Sequence, residues 1–203
     1  MGRSPESVPF VGLTGGMGAG KSTALRALEQ LGAATISSDA IVHELYARDE
    51  RLRRAVVERW GERVAPNGAV DRAAVAERAF ASEDERRWLE GQLWPLVGER
   101  VAGWLTQVRA RRPPPRAAVV EVPLLFEAGL QDIYDATIAV VAGEEIRAER
   151  AAGRGHARED ARTARQLDQE QKARKATFAV RNDGSVEELT AQLSRVLERL
   201  APA

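Results

Sequence analysis

Gly15-Gly16-Met17-Gly18-Ala19-Gly20-Lys21-Ser22 fits the pattern G-x-x-x-x-G-K-S, the spacing of a phosphate-binding loop. Glycines at 15, 18 and 20 allow backbone conformations closed to residues with a Cβ, so successive N–H groups can turn toward one anion. The pattern needs a strand before it and a helix after it. Both are present: an apolar run at 9–13, "PFVGL", and a helical pattern from about Lys21 in which Leu25, Leu28 and Leu31 form a core face and Gly32 is the stop. The unpaired N–H groups and positive dipole end of that helix favour phosphate further. Gly15, Gly16, Gly18, Ala19 and Gly20 would cradle a nucleotide. Lys21 would reach its β- and γ-phosphates, Ser22 would ligate Mg²⁺, and Thr23 would sit by the α-phosphate.

A phosphate loop does not name the acceptor, which turns attention to the ends of the other strands. "ISSDAIVHEL" places Asp39 where a second apolar run gives way to a helix. There it can act as a general base toward a hydroxyl, or it can simply cap that helix. "VVEVPLLFEAG" ends a third run. Its Glu121 can assist Mg²⁺ or be a paired structural charge, and Pro123, Leu124, Leu125 and Phe126 offer an apolar wall. From Glu144 to Lys175 the chain is helical in pattern and rich in arginine, which by itself reads as a solvated face.

The elements that must hold these residues alternate. Apolar runs at 9–13, 33–37, 117–122, 136–141 and 177–180 are continuous rather than alternating and are separated by helical patterns. That predicts a parallel sheet covered on both faces, an α/β doubly wound layout. Ile41 to Arg112 contains no convincing strand and is too long for a plain crossover, so it reads as a helical insertion. Its breaks are the Asn67-Gly68 turn and Pro95, predicted to end or kink a helix at Trp94. "RARRPPPRAA" (109–118) reads as a stiff loop leading into the central strand, with a polyproline ligand or basic patch as the other reading.

Thirty Lys plus Arg balance thirty Asp plus Glu, so no global field draws the chain to nucleic acid or anionic lipid. The absence of cysteine excludes disulfides and thiol catalysis, and with only two histidines a zinc site is not expected. No apolar run approaches the roughly 20 residues of a spanning helix, and "MGRSPESVP" has no signal-peptide core. A soluble cytoplasmic protein of one domain over 8–203 is expected, with residues 1–7 as a flexible tail.

With these segments in order, the chain resembles the dephospho-coenzyme A kinases, a branch of the P-loop nucleoside monophosphate kinase superfamily. "LTGGMGAGKST" (13–23), "VDRAAVAERAF" (70–80), "PLLFE" (123–127) and "NDGS" (182–185) carry the likeness. The resemblance implies a three-layer α/β/α fold with a five-stranded parallel sheet. The core would be 8–40, 115–142 and 177–203, with an acceptor-binding helical insertion at about 41–112 and a helical lid at about 144–175. It also implies transfer of the ATP γ-phosphoryl group to the ribose 3′-hydroxyl of dephospho-CoA, in the presence of Mg²⁺, by a monomer or small homo-oligomer.

On this basis Asp39 becomes the base, Arg150 and Arg154 the lid cations at the transferring group, and Gln166 and Lys172 part of the pattern that follows. Pro123, Leu124, Leu125 and Glu127 become acceptor contacts, and Asn182 and Gly184 nucleotide contacts. The family's usual Asp-x-Asp is Ser37-Ser38-Asp39 here, its His-Pro pair is Trp94-Pro95, and an acidic residue after the lid is Thr177. A kinase for another small acceptor, such as a nucleoside monophosphate, would share the phosphate loop and lid. A nucleotide switch would carry an N-K-x-D guanine reader, and the sequence has no Asn-Lys pair.

Overall fold

The five apolar runs become strands because each is too short for a buried helix and is enriched in residues that pack on a pleated surface. The computed structural model describes residues 8–152 and 167–201. Its strands are β1 (Phe10–Gly15), β2 (Ala34–Ser37), β3 (Ala118–Glu121), β4 (Ala136–Val141) and β5 (Phe178–Arg181). They form one parallel sheet in the order β2-β3-β1-β4-β5.

Two expectations need correction. β1 runs on to Gly15, which pairs with Val140 of β4, so the first glycine of the loop still belongs to the sheet. The strand after the proline-rich stretch, β3, lies between β2 and β1, and β1 is the central one.

Helix α1 (Lys21–Gln30) follows the phosphate loop, and α8 (Val186–Leu200) ends the described chain. Leu189, Leu193, Val196 and Leu197 recur at i, i+4, i+7 and i+8 on α8 and are buried with Ala24, Ala27 and Leu28 of α1 against Val11, Leu13, Val119, Ile138 and Val140 of the sheet. Each large apolar side chain so buried contributes roughly 1.5–3 kcal/mol. α1 stops at Gly32 (φ 89°), whose N–H bonds to the Glu29 carbonyl while that of Ala33 bonds to Leu28, the paired closure expected of a left-handed glycine cap. α8 starts on a reciprocal cap between Ser185 and Glu188.

Two compact units divide the chain: Met1–Ser37 with Gln107–Ala203, and Ser38–Thr106. The second is helical throughout, with α2 (Ser38–Arg48), α3 (Glu50–Trp60), α4 (Arg72–Ala79) and most of α5 (Glu83–Ala110). Asp49 and Asp71 cap α3 and α4 with their carboxylates. Asn67 adopts the left-handed conformation (φ 60°) in the turn its Asn-Gly pair predicts. Glu85 accepts both Arg59 nitrogens and the Trp60 indole N–H, and Trp88 meets Trp60 edge-on at 4.9 Å.

Pro95 does not end a helix: α5 continues through it. Proline removes one N–H, the donor to the Gly91 carbonyl, from a ladder of 28 residues. Leu89, Leu93 and Leu96 are buried on either side of the missing bond.

From the arginine-rich stretch, α6 (Glu144–Ala152) and α7 (Gln169–Lys175) are described. Arg154 and Gln166, named from the sequence, lie outside the described residues.

Candidate active site

The phosphate loop joins the C-terminal end of β1 to the N-terminus of α1 and is braced from three sides. A Cβ at Gly15 would stand 2.5 Å from the Val140 carbonyl, and one at Gly18 (φ 73°) 2.7 Å from the Arg147 carbonyl. At Gly20 (φ 92°) it would collide with the Asn182 amide. The three spaced glycines thus satisfy close approaches by β4, α6 and the segment after β5, as well as the turn itself. Gly20 caps α1 without a side-chain hydrogen bond and no acidic residue occupies the first turn, so the positive end of this helix is uncompensated by its own residues. Lys21 Nζ lies over the loop and donates to the carbonyls of Gly15 (3.0 Å) and Gly16 (3.2 Å). Ser22 is exposed, Gly16 and Ala19 are buried, and Thr23 is half-buried in the first turn.

Asn182 is buried and its side-chain N–H donates to the Ala19 carbonyl at 2.8 Å. Expected at the nucleotide, it holds the loop that would hold the nucleotide. Its own carbonyl accepts from Arg150 Nη1 at 3.0 Å, which places that guanidinium beside Gly20. Arg147, read from the sequence only as one of many surface arginines, donates from Nε to the Met17 carbonyl at 2.9 Å. Gly184 is exposed, and a Cβ there would collide with the Glu188 carboxylate, so the α8 cap already accounts for this glycine. The Gly143 N–H donates to Asp183 at 2.6 Å, and this bond, with Arg181 beside it, holds the Asp183 carboxyl below the usual carboxylate range.

At the end of β3, Glu121 is buried and pairs in register with Ser37 of β2, whose hydroxyl donates to Glu121 Oε2 at 2.7 Å. The serine that departs from Asp-x-Asp therefore has a use. A carboxylate at 37 would face Glu121 across the ladder, and like charges directly opposite are destabilising. Thr177, another departure, exchanges bonds with Thr137: each backbone N–H donates to the other's hydroxyl at 3.0 Å, which extends the β4–β5 pairing.

The chain leaving β3 makes one helical turn from Leu124, closed by Gly129 (φ 66°). Of the expected apolar wall, Pro123 and Leu124 are half-buried and Phe126 is buried. Leu125 does not belong to that wall. It is fully buried, and its Cδ1 would lie 2.5 Å from a Cβ at Gly12, so it packs onto β1 beneath the turn. Glu127 accepts from Lys172 Nζ at 3.0 Å and from the Leu167 N–H at 2.8 Å. Lys172 is fully buried, and burial pulls its pKa down while Glu127 holds it up. The sequence placed Lys172 only within a family pattern. Its partners lie 45 to 158 residues away, so no local signal could have revealed them.

α2 begins at Ser38, so Asp39 stands in the first turn rather than at the cap, half-buried. One helical turn on, His43 Nδ1 lies 2.8 Å from Arg72 Nη1, the arginine of the "VDRAAV" segment. Among the described residues no cluster of three or more histidines or carboxylates could cage a metal by itself. No helix among them is long and apolar enough to cross a membrane.

A sequence model of the dephospho-CoA kinase family matches residues 9–188. The chain is 38% identical to a dephospho-CoA kinase of Deinococcus radiodurans, covering 97% of this chain and 95% of the relative. To that of Thermobifida fusca it is 37% identical, covering 94% and 95%. A dephospho-CoA kinase of Mycolicibacterium paratuberculosis, 36% identical over 95% of this chain, is longer, and the match spans 47% of it. Among solved structures, a Thermus thermophilus protein superposes with a TM-score of 0.78 at 29% identity, covering 95% and 98% of the two chains. Dephospho-CoA kinase from Campylobacter jejuni shares the fold, with a TM-score of 0.67 at 23% identity and coverage of 94% and 96%.

Proposed function

The chain belongs to the dephospho-CoA kinase family, and from that premise we infer that it transfers the γ-phosphoryl group of ATP to the ribose 3′-hydroxyl of dephospho-CoA, yielding CoA and ADP. The likeness runs through the phosphate loop, the helical unit and the turn after β3 alike, and this extent carries the reading, since a phosphate loop alone would serve many acceptors.

In this reading the loop Gly15–Gly20 and the start of α1 bind the phosphates, and Lys21 follows the charge that develops on the β–γ bridge and the transferring group. Asp39 accepts the proton of the acceptor hydroxyl, or aligns that hydroxyl on the γ-phosphorus. Arg150, already bound to the loop's brace at Asn182, and Arg154 neutralise the equatorial oxygens and help exclude water. Pro123 and Leu124 line the acceptor side.

Mg²⁺ suits the residues present. This ion keeps several waters and takes few protein ligands beside phosphate oxygens, and the described residues offer the exposed Ser22 hydroxyl and the Glu121 carboxylate rather than a closed cage. Bound there, it would supply charge neutralisation between the phosphates.

The test is a panel of acceptors offered to the purified protein with ATP and Mg²⁺. Dephospho-CoA should be consumed with stoichiometric ADP. Turnover of a nucleoside monophosphate with dephospho-CoA untouched would overturn the reading.

A further inference from the structure

Lys172 is a cation with no exposed surface, in a position where an apolar side chain would cost less to bury. Its three protons meet three acceptors: the Pro123 carbonyl at 2.7 Å, Glu127 Oε1 at 3.0 Å and the Thr14 hydroxyl at 3.5 Å. Thr14, itself fully buried in β1 one residue before the phosphate loop, also donates to the Pro123 carbonyl at 3.2 Å. One turn earlier on α7, Gln169 pairs with the backbone of Ala142 through both ends of its amide, at 3.0 and 2.8 Å, and its Cγ would lie 3.1 Å from a Cβ at Gly16. A single ammonium therefore ties together the strand that leads into the phosphate loop, the turn that leaves β3, and helix α7.

Glu127 adds a second observation. Oε1 carries both of its hydrogen bonds, while Oε2 is buried and has no hydrogen-bond partner among the described residues. A buried carboxylate oxygen left without a partner is unfavourable, so the pair is not optimised for stability.

We propose that Lys172 is a positioning residue for phosphoryl transfer, fixing the Pro123–Glu127 turn against the root of the phosphate loop so that acceptor and donor meet in line. This rests on the proposed function, in which that turn faces the acceptor. Transfer is sensitive to such placement because misalignment of the reacting atoms by about 1 Å can cost on the order of a hundredfold in rate.

Two variants separate positioning from folding. Lys172→Met alone leaves the Glu127 charge buried without its partner and should lower both thermal stability and kcat. Lys172→Met combined with Glu127→Gln removes both charges while leaving an acceptor for the Leu167 N–H, and should melt near the wild type. If Lys172 positions the turn, this double variant still loses at least about tenfold in kcat, with a raised KM for dephospho-CoA and ATP affinity within about threefold of wild type. A double variant with wild-type kcat and KM would overturn the proposal and leave the pair a structural one. A wild type that fails to phosphorylate dephospho-CoA in the same assay would overturn the function and this inference with it.

Discussion

Asp39 stands at the first turn of α2, immediately after β2 ends, and a carboxylate there is favoured by the helix dipole whatever else it does. Its proposed work is separable from that electrostatic role by readout: asparagine keeps the shape but loses both charge and base, and loss of the dipole contact alone affects stability, by at most about 1 kcal/mol, rather than turnover. Asp39→Asn should lower kcat by at least about two orders of magnitude, while ATP binding survives and the melting temperature shifts little. Near-normal turnover, measured as ADP release with dephospho-CoA, would reduce Asp39 to a dipole partner.

Gly20 makes a complementary case. Its left-handed backbone and the Asn182 amide against its Cβ position leave no room for a side chain. Gly20→Ala should destabilise the fold by about 1–2 kcal/mol or more and weaken ATP binding severely, as read by calorimetry. Unchanged ATP affinity would show that the loop tolerates repositioning by its brace.

The strands were legible as elements of one parallel sheet, since continuous apolar runs between helical patterns leave few alternatives; their order was not, because the run after the proline-rich stretch, read as the central strand, lies between β2 and β1. Two of the corrected details have local physical causes. Gly15 reads as loop because glycine is depleted in strands, yet pairing with Val140 admits it where a Cβ would not fit. Pro95 reads as the end or kink of a helix because it lacks an N–H, and the first of these does not happen: one missing bond does not end a helix anchored by Leu89, Leu93 and Leu96.

β1 also shows how a glycine shapes its surroundings. Gly12 admits Leu125 and the ring of Tyr134, which in turn meets Phe10 at a tilt of 38° with ring centroids 4.7 Å apart. Burial there pushes the Tyr134 hydroxyl up to about 12. Because the folded state holds this proton more tightly than the unfolded chain, the contribution to stability is whole below about pH 10 and is lost as pH rises from there through about 12. Thermal melts across that interval should fall less steeply for Tyr134→Phe than for the wild type. Identical slopes would mean that the ring is not buried enough to matter.

Across the whole chain, what the sequence disclosed of the candidate site was what lies within one stretch: the glycine spacing, Lys21, Ser22 and the strand-end carboxylates. What it hid depends on register and long-range packing. Ser37 meets Glu121 only because β2 and β3 pair in that register. Asn182 reaches Ala19 across 163 positions, and Lys172 reaches Thr14 across 158. Leu125 looked like a neighbour of Leu124 on a binding wall, and the turn after β3 sends it into the core instead. The braces of a phosphate loop are thus distributed over the chain, while the loop itself is local. That difference explains why motif reading finds the phosphate-loop pattern and not what steadies the loop.

The central claim is the identity of the transfer. It is tested most directly by incubating the protein with ATP carrying heavy oxygen in its γ-phosphoryl group, Mg²⁺ and dephospho-CoA, then locating the label by phosphorus NMR and mass spectrometry. The label should appear as a monoester on the ribose 3′-oxygen of CoA, in amounts equal to the ADP formed. Label found only in inorganic phosphate, or at another position of the acceptor, would contradict it.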